Sequence, residues 1–439
     1  MAARERALAA LFLALLAAIT LWNARSYPPG DGYDAAQHSE YAESLIGEGR
    51  IPGPETRSEY YTPPLFYALA GAATEAGEAA GLGEPRKAAQ ALNALLALGT
   101  ALLTLALARL LWPGRPVLWL GALGFLCLLP VLVKTTAMFH PEPLSLFLST
   151  AALFLAARMV VRGAWSWPSA AALGVVLGAG QLVRAFALWT FAVVVLTLLA
   201  VALTASAERR RVLGALLVTV LATAAVAGPW YVRQATRYTN PVVHPHNEAA
   251  AVPLWERRPL AFYVDPGLPE IFTHPYRPAF TNLALAETYA ELWGDWYGVY
   301  AWEAADRDPS AGVERQLALQ HALGLVPTAL AVVGWLGLLL ALARSRLADP
   351  ARLLVALLPL AGIAGYLYFT VSYPTPDGDV LKATYLLTTA PAWALAFGLA
   401  LDRLAHRRSV RLALLVLLAA SALVNLRFLV HGDPLGGLL

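Results

Sequence analysis

The polar stretch from Tyr27 to Tyr67 holds the residues best suited to chemistry. Its acidic and histidine side chains, set among aromatic residues and prolines, include Asp31, Asp34, His38, Glu40, Glu43 and Glu59. A carboxylate near its ordinary pKa is ionised at neutral pH and can accept the proton of an attacking hydroxyl group. Asp31 and Asp34 could instead cap a helix that begins near Ala35. The stretch therefore indicates either a general base or an ordinary helix start.

A second polar segment, Lys134–Pro143, lies between two apolar runs. Its Glu142 follows a proline, where a carboxylate either serves a site or complements the dipole of a helix that begins there. Lys134 and His140 are candidate substrate-binding residues, although a histidine here is more often a membrane-interface residue than a ligand. The segment adds Glu142 to Asp34 and Asp31 as candidate catalytic residues.

Few basic residues lie at those ends of the apolar runs that are on the same side of the membrane as these polar segments. Outside the two long polar segments they are Lys134, Arg184, Lys382 and Arg427. A bound phosphate needs cationic donors, and Arg184 and Lys382 could supply them. The alternative is that both side chains extend to lipid headgroups. Further candidate substrate-binding residues on this side are His38, Glu59, Tyr61 and Tyr385.

A long polar segment, Tyr231–Gln320, is rich in proline, tryptophan, tyrosine and histidine. Loops of this length are functional or carry structure of their own. Glu287, Trp293 and Asp295 are its candidate substrate-binding residues, and its aromatic side chains could stack on a sugar or rest at the membrane interface. Potential metal ligands alternate at 244–248 without a fourth ligand nearby. We therefore expect no cofactor, with a divalent metal possible but not required.

Composition defines the class of protein that positions these residues. The chain has 439 residues, of which 58% are hydrophobic and 14% charged, and its mean hydropathy is +0.57. Soluble domains have about 25% charged residues, so we expect a polytopic membrane protein. A net charge of +3 argues against a nucleic-acid partner. The single cysteine, Cys127, excludes an internal disulfide and a multi-cysteine metal site.

Eleven apolar segments approach the roughly 20 residues that a membrane-spanning helix needs. They are 7–22, 88–111, 116–133, 142–160, 168–184, 186–205, 212–230, 321–343, 351–371, 381–401 and 410–430. The sequence thus predicts an all-α bundle of about 11 transmembrane helices with two long outer-face loops. The predicted divisions are an N-terminal transmembrane module 1–230 containing the first outer loop 23–87, a large outer-face loop 231–320 and a C-terminal transmembrane module 321–439.

Shorter features complete this organisation. Within the first outer loop, 35–48 is a candidate short helix with one apolar side. The apolar part of 63–81 is about half a span, so we expect a helix that lies on or dips into the outer surface. The glycine-containing run from Gly174 to Gly180 lies in an apolar span, where glycines favour close helix packing rather than a nucleotide-binding loop. The sequence shows no internal repeat and no broken helix.

Arginines indicate the orientation in the membrane. With the N-terminus inside, every short inner connection carries arginine, as at 209–211 and 407–408, and basic short loops favour the cytoplasmic side. All but four of the 29 acidic residues then lie outside. We therefore expect a multi-pass cell-membrane protein with a cytoplasmic N-terminus and its chemistry on the outer face. The segment 7–22 could pass for a signal peptide, but a retained anchor would tether the first outer loop.

The pattern Tyr33-Asp34-Ala35-Ala36-Gln37-His38, followed by Gly49-Arg50-Ile51-Pro52 and Tyr61-Thr62-Pro63-Pro64, resembles the first outer loop of GT-C-fold glycosyltransferases. Bacterial protein O-mannosyltransferases and aminoarabinose transferases are the most similar in style. The resemblance implies an essential acid in this loop, and the spacing to His38 favours Asp34. Family members usually show Asp-Glu where this chain has Asp34-Ala35, so Asp31 stays an alternative.

The same resemblance implies a function. It places Glu142 near a second acid of related enzymes, and Arg184 and Lys382 near the carrier phosphate. The expected protein is an inverting glycosyltransferase that moves a monosaccharide from a polyprenyl-phosphate carrier to a hydroxyl acceptor on a glycan, lipid or protein. The alternative is a transporter or flippase of a lipid-linked or small polar substrate, which should show paired half-repeats and broken helices.

Overall fold

The computed structural model describes residues 2–56, 59–204, 207–237, 258–275, 283–294, 311–372 and 381–432. All regular elements in these ranges are helical. The α-helices are α1 (Ala3–Ser26), α2 (Ala35–Gly47), α3 (Leu65–Ala79), α4 (Lys87–Leu111), α5 (Pro116–Cys127), α6 (Pro130–Ala137), α7 (Glu142–Arg162), α8 (Trp167–Gln181), α9 (Ala187–Thr204), α10 (Arg209–Arg237), α11 (Leu260–Val264), α12 (Glu270–Thr273), α13 (Ala284–Trp293), α14 (Ala311–Arg344), α15 (Leu353–Ser372), α16 (Ala390–Leu404) and α17 (Arg408–Leu429). Short 3₁₀ helices, Pro350–Arg352 and Ala383–Thr389, precede α15 and α16.

The predicted all-α polytopic membrane fold is confirmed. In the described ranges, nine helices are long and apolar enough to cross a membrane, or up to ten if the bent pair α5 and α6 forms one span. Each of the eleven predicted segments contains helix. The segment 168–184, however, forms the 15-residue α8. At 1.5 Å per residue this helix is roughly 22 Å long, which is shorter than the roughly 30 Å hydrocarbon core.

The predicted span 116–133 is not one straight helix. Its two parts, α5 and α6, meet at an angle of 47°. Pro130 is the first residue of α6 and cannot donate the backbone hydrogen bond that would continue α5. The expectation of an unbroken helix here was therefore wrong. The break delivers α6 and its Lys134 to the end of the bundle where α2 and α3 lie.

Glycines bring α8 into close contact with α10, and the sequence predicted close helix packing for them. A Cβ added at Gly174 would lie 2.5 Å from the carbonyl oxygen of Thr219. The hydroxyl groups of Thr219 and Thr223 each donate a 3.1 Å hydrogen bond to a backbone carbonyl of α8. In a membrane, burial of apolar surface alone does not drive two helices together, so this close packing and these hydrogen bonds stabilise the contact.

The first polar loop folds onto one end of the bundle. The two short helices predicted within it are present as α2 and α3, and neither is long enough to cross a membrane. The rings of Tyr41 and Tyr67 stack with centroids 3.7 Å apart and join α2 to α3. The amide of Leu65 donates to the carbonyl of Leu182, which fixes the start of α3 to the end of α8.

The late polar segment is anchored at the same end through α13. Lys134 donates a hydrogen bond to the carbonyl of Gly294, directly after the last residue of α13. Trp293 donates a 2.8 Å bond to Thr328 of α14. These contacts place α13 against the broken helix and the long helix α14.

Candidate active site

Asp34 lies at the start of α2 but does not cap it. Its backbone is left-handed, with φ of 50°, and its side chain makes no capping hydrogen bond. Aspartate adopts this conformation more readily than most residues. The carboxylate instead accepts a 3.0 Å hydrogen bond from the ammonium group of Lys382. The capping alternative therefore does not describe what this side chain does.

The Asp34–Lys382 pair is partly withdrawn from solvent. The Lys382 side chain is 4% exposed and that of Asp34 is 33% exposed. Burial alone would raise the pKa of Asp34, but Lys382 opposes it, with further help from His38 and Arg184, and the net pKa is lower than usual. Asp34 is therefore ionised at neutral pH. One edge of its carboxylate still faces solvent or substrate.

A second ion pair, Arg184–Glu142, is buried at the start of α7. The Nε group of Arg184 donates a 2.8 Å hydrogen bond to Glu142, whose side chain is fully buried. Within the described residues, this is the hydrogen bond that the Arg184 side chain makes, so both of its Nη groups stay available. The second Glu142 oxygen has no hydrogen-bond partner in this part of the chain. Glu142 thus orients a cation whose remaining donors can bind an anion.

Two neutral histidines lie beside these pairs. Nδ1 of His38 is 2.9 Å from the hydroxyl group of Tyr67, and the rings of His38 and His140 meet edge to face at 5.0 Å. Burial, followed by the charge of Arg184, lowers the pKa of His38 to about 3. Burial also lowers the pKa of His140 well below its usual value. Within the described residues, Nε2 of His38 is buried without a hydrogen-bond partner.

Glu59, Tyr61 and Tyr385 complete the cluster. Burial and the nearby Asp34 raise the pKa of Glu59, while a hydrogen bond from Tyr61 opposes the rise. The ring of Tyr385 stacks on that of Phe186, with centroids 5.0 Å apart. Phe186 follows Arg184 by two residues in the chain. The cluster therefore combines carboxylates, cations, neutral histidines and an aromatic surface.

Other candidate residues lie apart from this cluster. Asp31 is exposed. Trp293 is buried on the wall of an apolar cavity, Glu287 is buried on α13, and Lys134 contacts the end of α13. Asp295 lies outside the described residues. Among the described residues, Asp34 and Glu142 form ion pairs with the basic side chains of the cluster, and Glu59 lies within electrostatic range of both cations.

Glu291 is a site residue that the sequence analysis missed. Its carboxylate is buried and accepts hydrogen bonds from the hydroxyl group of Tyr33 and the amide of Ala383. These two residues adjoin Asp34 and Lys382 in the chain. The available signal was the four-residue spacing from Glu287, which places both acids on one face of α13.

An apolar cavity of about 720 Å³ adjoins the Lys382 segment. Its walls come from both halves of the broken helix and from α13, α14, α15 and α16, and they include Ala383, Trp293 and Tyr366. Among the described residues, no group of three or more histidine, cysteine or acidic side chains could hold a metal ion. The runs 244–248 and 295–302 lie outside those residues.

Comparison with known proteins supports the fold. No family model and no curated protein sequence matches the chain. The apo crystal structure of the Archaeoglobus fulgidus oligosaccharyltransferase matches with a TM-score of 0.60 and 13% identity, over 98% of this chain and 57% of that one. The same enzyme tethered to an acceptor peptide gives 0.57 and 14%, over 99% and 56%. ArnT from Cupriavidus metallidurans bound to undecaprenyl phosphate gives 0.42 and 17%, over 90% and 76%.

The chain spans a little over half the length of the archaeal oligosaccharyltransferase that it matches. At these identities the likeness concerns the fold. The match covers nearly all of the present chain. The chain therefore has the helical membrane fold of the GT-C glycosyltransferases, as its first polar loop predicted.

Proposed function

We propose that this membrane protein is an inverting glycosyltransferase. It moves a monosaccharide from a polyprenyl-phosphate carrier to a hydroxyl acceptor. The observation that carries the proposal is the meeting of Asp34, Arg184 and Lys382, from three distant parts of the chain, at one end of the bundle. A carboxylate beside two cations suits a reaction in which one group takes up a proton and a phosphate leaves. The fold is compatible, since an oligosaccharyltransferase shares it.

The two cations are assigned to the carrier phosphate. Glu142 fixes Arg184 through Nε, so the two Nη groups can bind phosphate oxygens with a defined geometry. Lys382 supplies the second positive charge. The apolar cavity beside Ala383 suits the isoprenoid chain, because its walls are almost entirely apolar side chains.

Asp34 is assigned as the general base. It accepts the acceptor's hydroxyl proton as the acceptor oxygen bonds to the anomeric carbon. The bond between that carbon and the phosphate oxygen breaks, and the phosphate leaves with the electron pair. Arg184 and Lys382 balance its added charge. Attack opposite the leaving phosphate inverts the anomeric configuration.

Donor binding also activates the base in this scheme. Without a donor, Lys382 holds Asp34 and keeps its pKa low. A bound phosphate competes for the same ammonium group and weakens its hold on the carboxylate. The pKa of Asp34 then rises, and the carboxylate becomes a better proton acceptor. The base is strongest when a sugar donor is in place.

The remaining polar residues are assigned to the two substrates. His38 and His140 are neutral and can exchange hydrogen bonds with sugar hydroxyl groups. Glu59, Tyr61 and Tyr385 form the opposite side of the site, where the stacked Tyr385 and Phe186 offer an aromatic face. We assign the acceptor to the side of the late polar segment 231–320, with Glu287 and Asp295 from that segment and Lys134 from α6. Trp293 lines the apolar cavity and is assigned with it to the carrier.

The orientation belongs to the proposal, because the arginine-rich connections lie at the end opposite the site. The native Cys127 is buried, so introduced cysteines can report the topology. Cysteine at Glu55 or Glu270 should react with an impermeant thiol reagent in intact cells. Cysteine at Ala207 or Ala348 should not react until the membrane is opened. The reverse pattern would place the site on the cytoplasmic face.

A reconstituted transfer assay tests the activity. Purified protein in proteoliposomes receives polyprenyl phosphates carrying radiolabelled sugars, together with membrane acceptor fractions. We expect the label to leave the carrier for a hydroxyl-linked product. A flippase would move the carrier between leaflets with the sugar–phosphate bond intact. That outcome is a real competitor, because the α5–α6 break resembles a feature of transporters, and it would overturn the proposal.

A further inference from the structure

We propose that Glu291 is a positioning residue that holds the Asp34–Lys382 pair in register by binding the chain neighbour of each partner. This inference rests on the proposed function, since it concerns the assigned base and phosphate-binding lysine. Glu291 itself is not assigned a contact with substrate. Its role is to join the first polar loop to the segment before α16.

The two oxygens of Glu291 serve two different segments. Oε1 accepts the hydroxyl hydrogen of Tyr33, and Oε2 accepts the amide hydrogen of Ala383. Tyr33 directly precedes Asp34, and Ala383 directly follows Lys382. Since Lys382 also donates to Asp34 at 3.0 Å, these five residues form a closed ring of covalent and hydrogen bonds. A ring fixes the spacing of the pair better than the ion pair alone.

The Tyr33 ring adds a second constraint. The ammonium group of Lys382 lies 5.4 Å from the centroid of this ring, within the range of a cation–π contact. The Tyr33 side chain is buried. By holding the Tyr33 hydroxyl group, Glu291 thus also fixes the aromatic face beside the Lys382 ammonium group. The hydrogen bond from Lys382 to Asp34 and the contact of Lys382 with the Tyr33 ring therefore both depend on how Tyr33 is placed.

The helix that carries Glu291 is itself well anchored. Tyr289 donates a 2.6 Å bond to the carbonyl of His321 in α14. Thr288 and Tyr366 of α15 are joined by a 2.8 Å hydrogen bond, and Lys134 binds the carbonyl that follows α13. Glu291 therefore extends from a fixed support, and the late polar segment becomes part of the catalytic arrangement.

Glu291→Gln is the sharpest test of this arrangement. An amide of the same shape can accept from the Ala383 amide with its oxygen, but its NH₂ group can only donate to the Tyr33 hydroxyl group. The charge-assisted bond from Tyr33 is thus replaced by a weaker bond of reversed direction, and Asp34 and Lys382 are held less firmly. We expect kcat to fall roughly 10–100-fold, as for a misplaced catalytic group, with a smaller change in KM for the carrier.

The pH profile separates positioning from simple loss of structure. With Lys382 less well placed, the pKa of Asp34 rises, so the acidic limb of the kcat profile should move to higher pH. Tyr33→Phe, which keeps the ring and removes the hydroxyl group, should move it in the same direction by less. Glu75→Gln makes the same acid-to-amide change at an exposed position of α3, away from this ring of contacts, and should leave the limb unchanged. An unmoved limb in Glu291→Gln would overturn the role.

A thermal double-mutant cycle gives a readout that does not require activity. Asp34→Asn and Lys382→Met are combined in the wild-type protein and in the Glu291→Gln background. We expect their coupling in thermal midpoint to be clear in the first and largely lost in the second. Equal coupling in both overturns the positioning role. Failure of the wild-type transfer assay with a lost coupling would instead overturn the proposed function and leave the positioning role standing.

Discussion

Two ion pairs, one at each end of the helix bundle, lie in different surroundings. At the site end, Glu142 is fully buried against Arg184, whose side chain is 11% exposed. At the arginine-rich end, Arg352 and Asp349 are 34% and 41% exposed at a distance of 2.8 Å. The two N–O distances are alike, so the pairs differ in how far their side chains are exposed to solvent. Exposed pairs contribute little to stability, whereas a buried charge needs a partner to offset its lost hydration.

This contrast indicates which end is built for chemistry. A membrane protein can orient itself with exposed arginines at low cost, which is the role that the sequence predicts for the arginine-rich end. It gains no such benefit from buried carboxylates, because replacing a buried pair with apolar side chains is often neutral or stabilising. Buried polar groups at the site end therefore suggest a use beyond folding. The following predictions test how far the two ends differ.

Asp34→Asn should give the largest effect. The amide keeps the shape of the side chain but cannot accept the hydroxyl proton, so transfer should fall by at least about 10²–10⁴-fold. Asp31→Asn is the matched control in the same loop, because Asp31 is exposed and outside the cluster. Initial rates of sugar transfer are the measurement. A dead Asp31→Asn with an active Asp34→Asn would move the base to Asp31 and keep the enzyme class.

Glu142→Gln should cause the largest loss of stability among the ion-pair variants. Removing one partner leaves Arg184 as an uncompensated buried cation, which costs roughly 3–5 kcal/mol. Thermal unfolding in lipid nanodiscs measures the loss. Adding a polyprenyl phosphate should recover part of it, because the phosphate supplies a new anion for Arg184. A variant as stable as the wild type would show that the pair is not a structural requirement.

Local signals predicted much of this molecule. Apolar length predicted the helices, and the glycines of the run 174–180 predicted close helix packing, although not that α10 would be the partner of α8. The proline spacing around Pro130 was visible in the sequence, but its consequence was missed. A span of sufficient hydropathy was counted as one helix, although a proline that cannot continue the backbone ladder favours a break.

The pairing of charges could not be predicted in the same way. Asp34 and Lys382 are 348 residues apart, and nothing in either local pattern specifies the other partner. Both basic residues were assigned to phosphate, whereas in the structure each binds a carboxylate. Glu291 could not be predicted for a related reason. It is part of the site through its hydrogen bonds with Tyr33 and Ala383, and only folding brings these residues together.

Lys382→Met should change the pH dependence of transfer. Burial favours the protonated form of Asp34, and Lys382 is the largest opposing influence. Without the ammonium group, the pKa of Asp34 should rise. A base works only when deprotonated, so the acidic limb of the rate profile should move to higher pH. Lys382→Arg keeps the charge, so the acidic limb should stay at the low pH of the wild type. An acidic limb at the same pH in Lys382→Met and Lys382→Arg would contradict this assignment.

Asp349→Asn should have the smallest effect and tests the other side of the comparison. Arg352 keeps its 3.3 Å hydrogen bond to the carbonyl of Leu111 and its position 5.3 Å from the ring centroid of Trp112. The loss should therefore be about 0–1 kcal/mol. Raising the salt from about 0.1 M to about 1 M shortens the screening length from about 10 Å to 3 Å. That change should remove the small difference between Asp349→Asn and the wild type.

The Glu142→Gln deficit should survive the same salt, because its ion pair is withdrawn from solvent. Thermal midpoints of both variants at the two salt concentrations provide the measurement. If Asp349→Asn is as damaging and as salt-resistant as Glu142→Gln, exposure does not separate the two ends. Burial of charge would then no longer distinguish the site from the rest of the bundle, and the assignment of Arg184 and Lys382 would rest on the transfer assay alone.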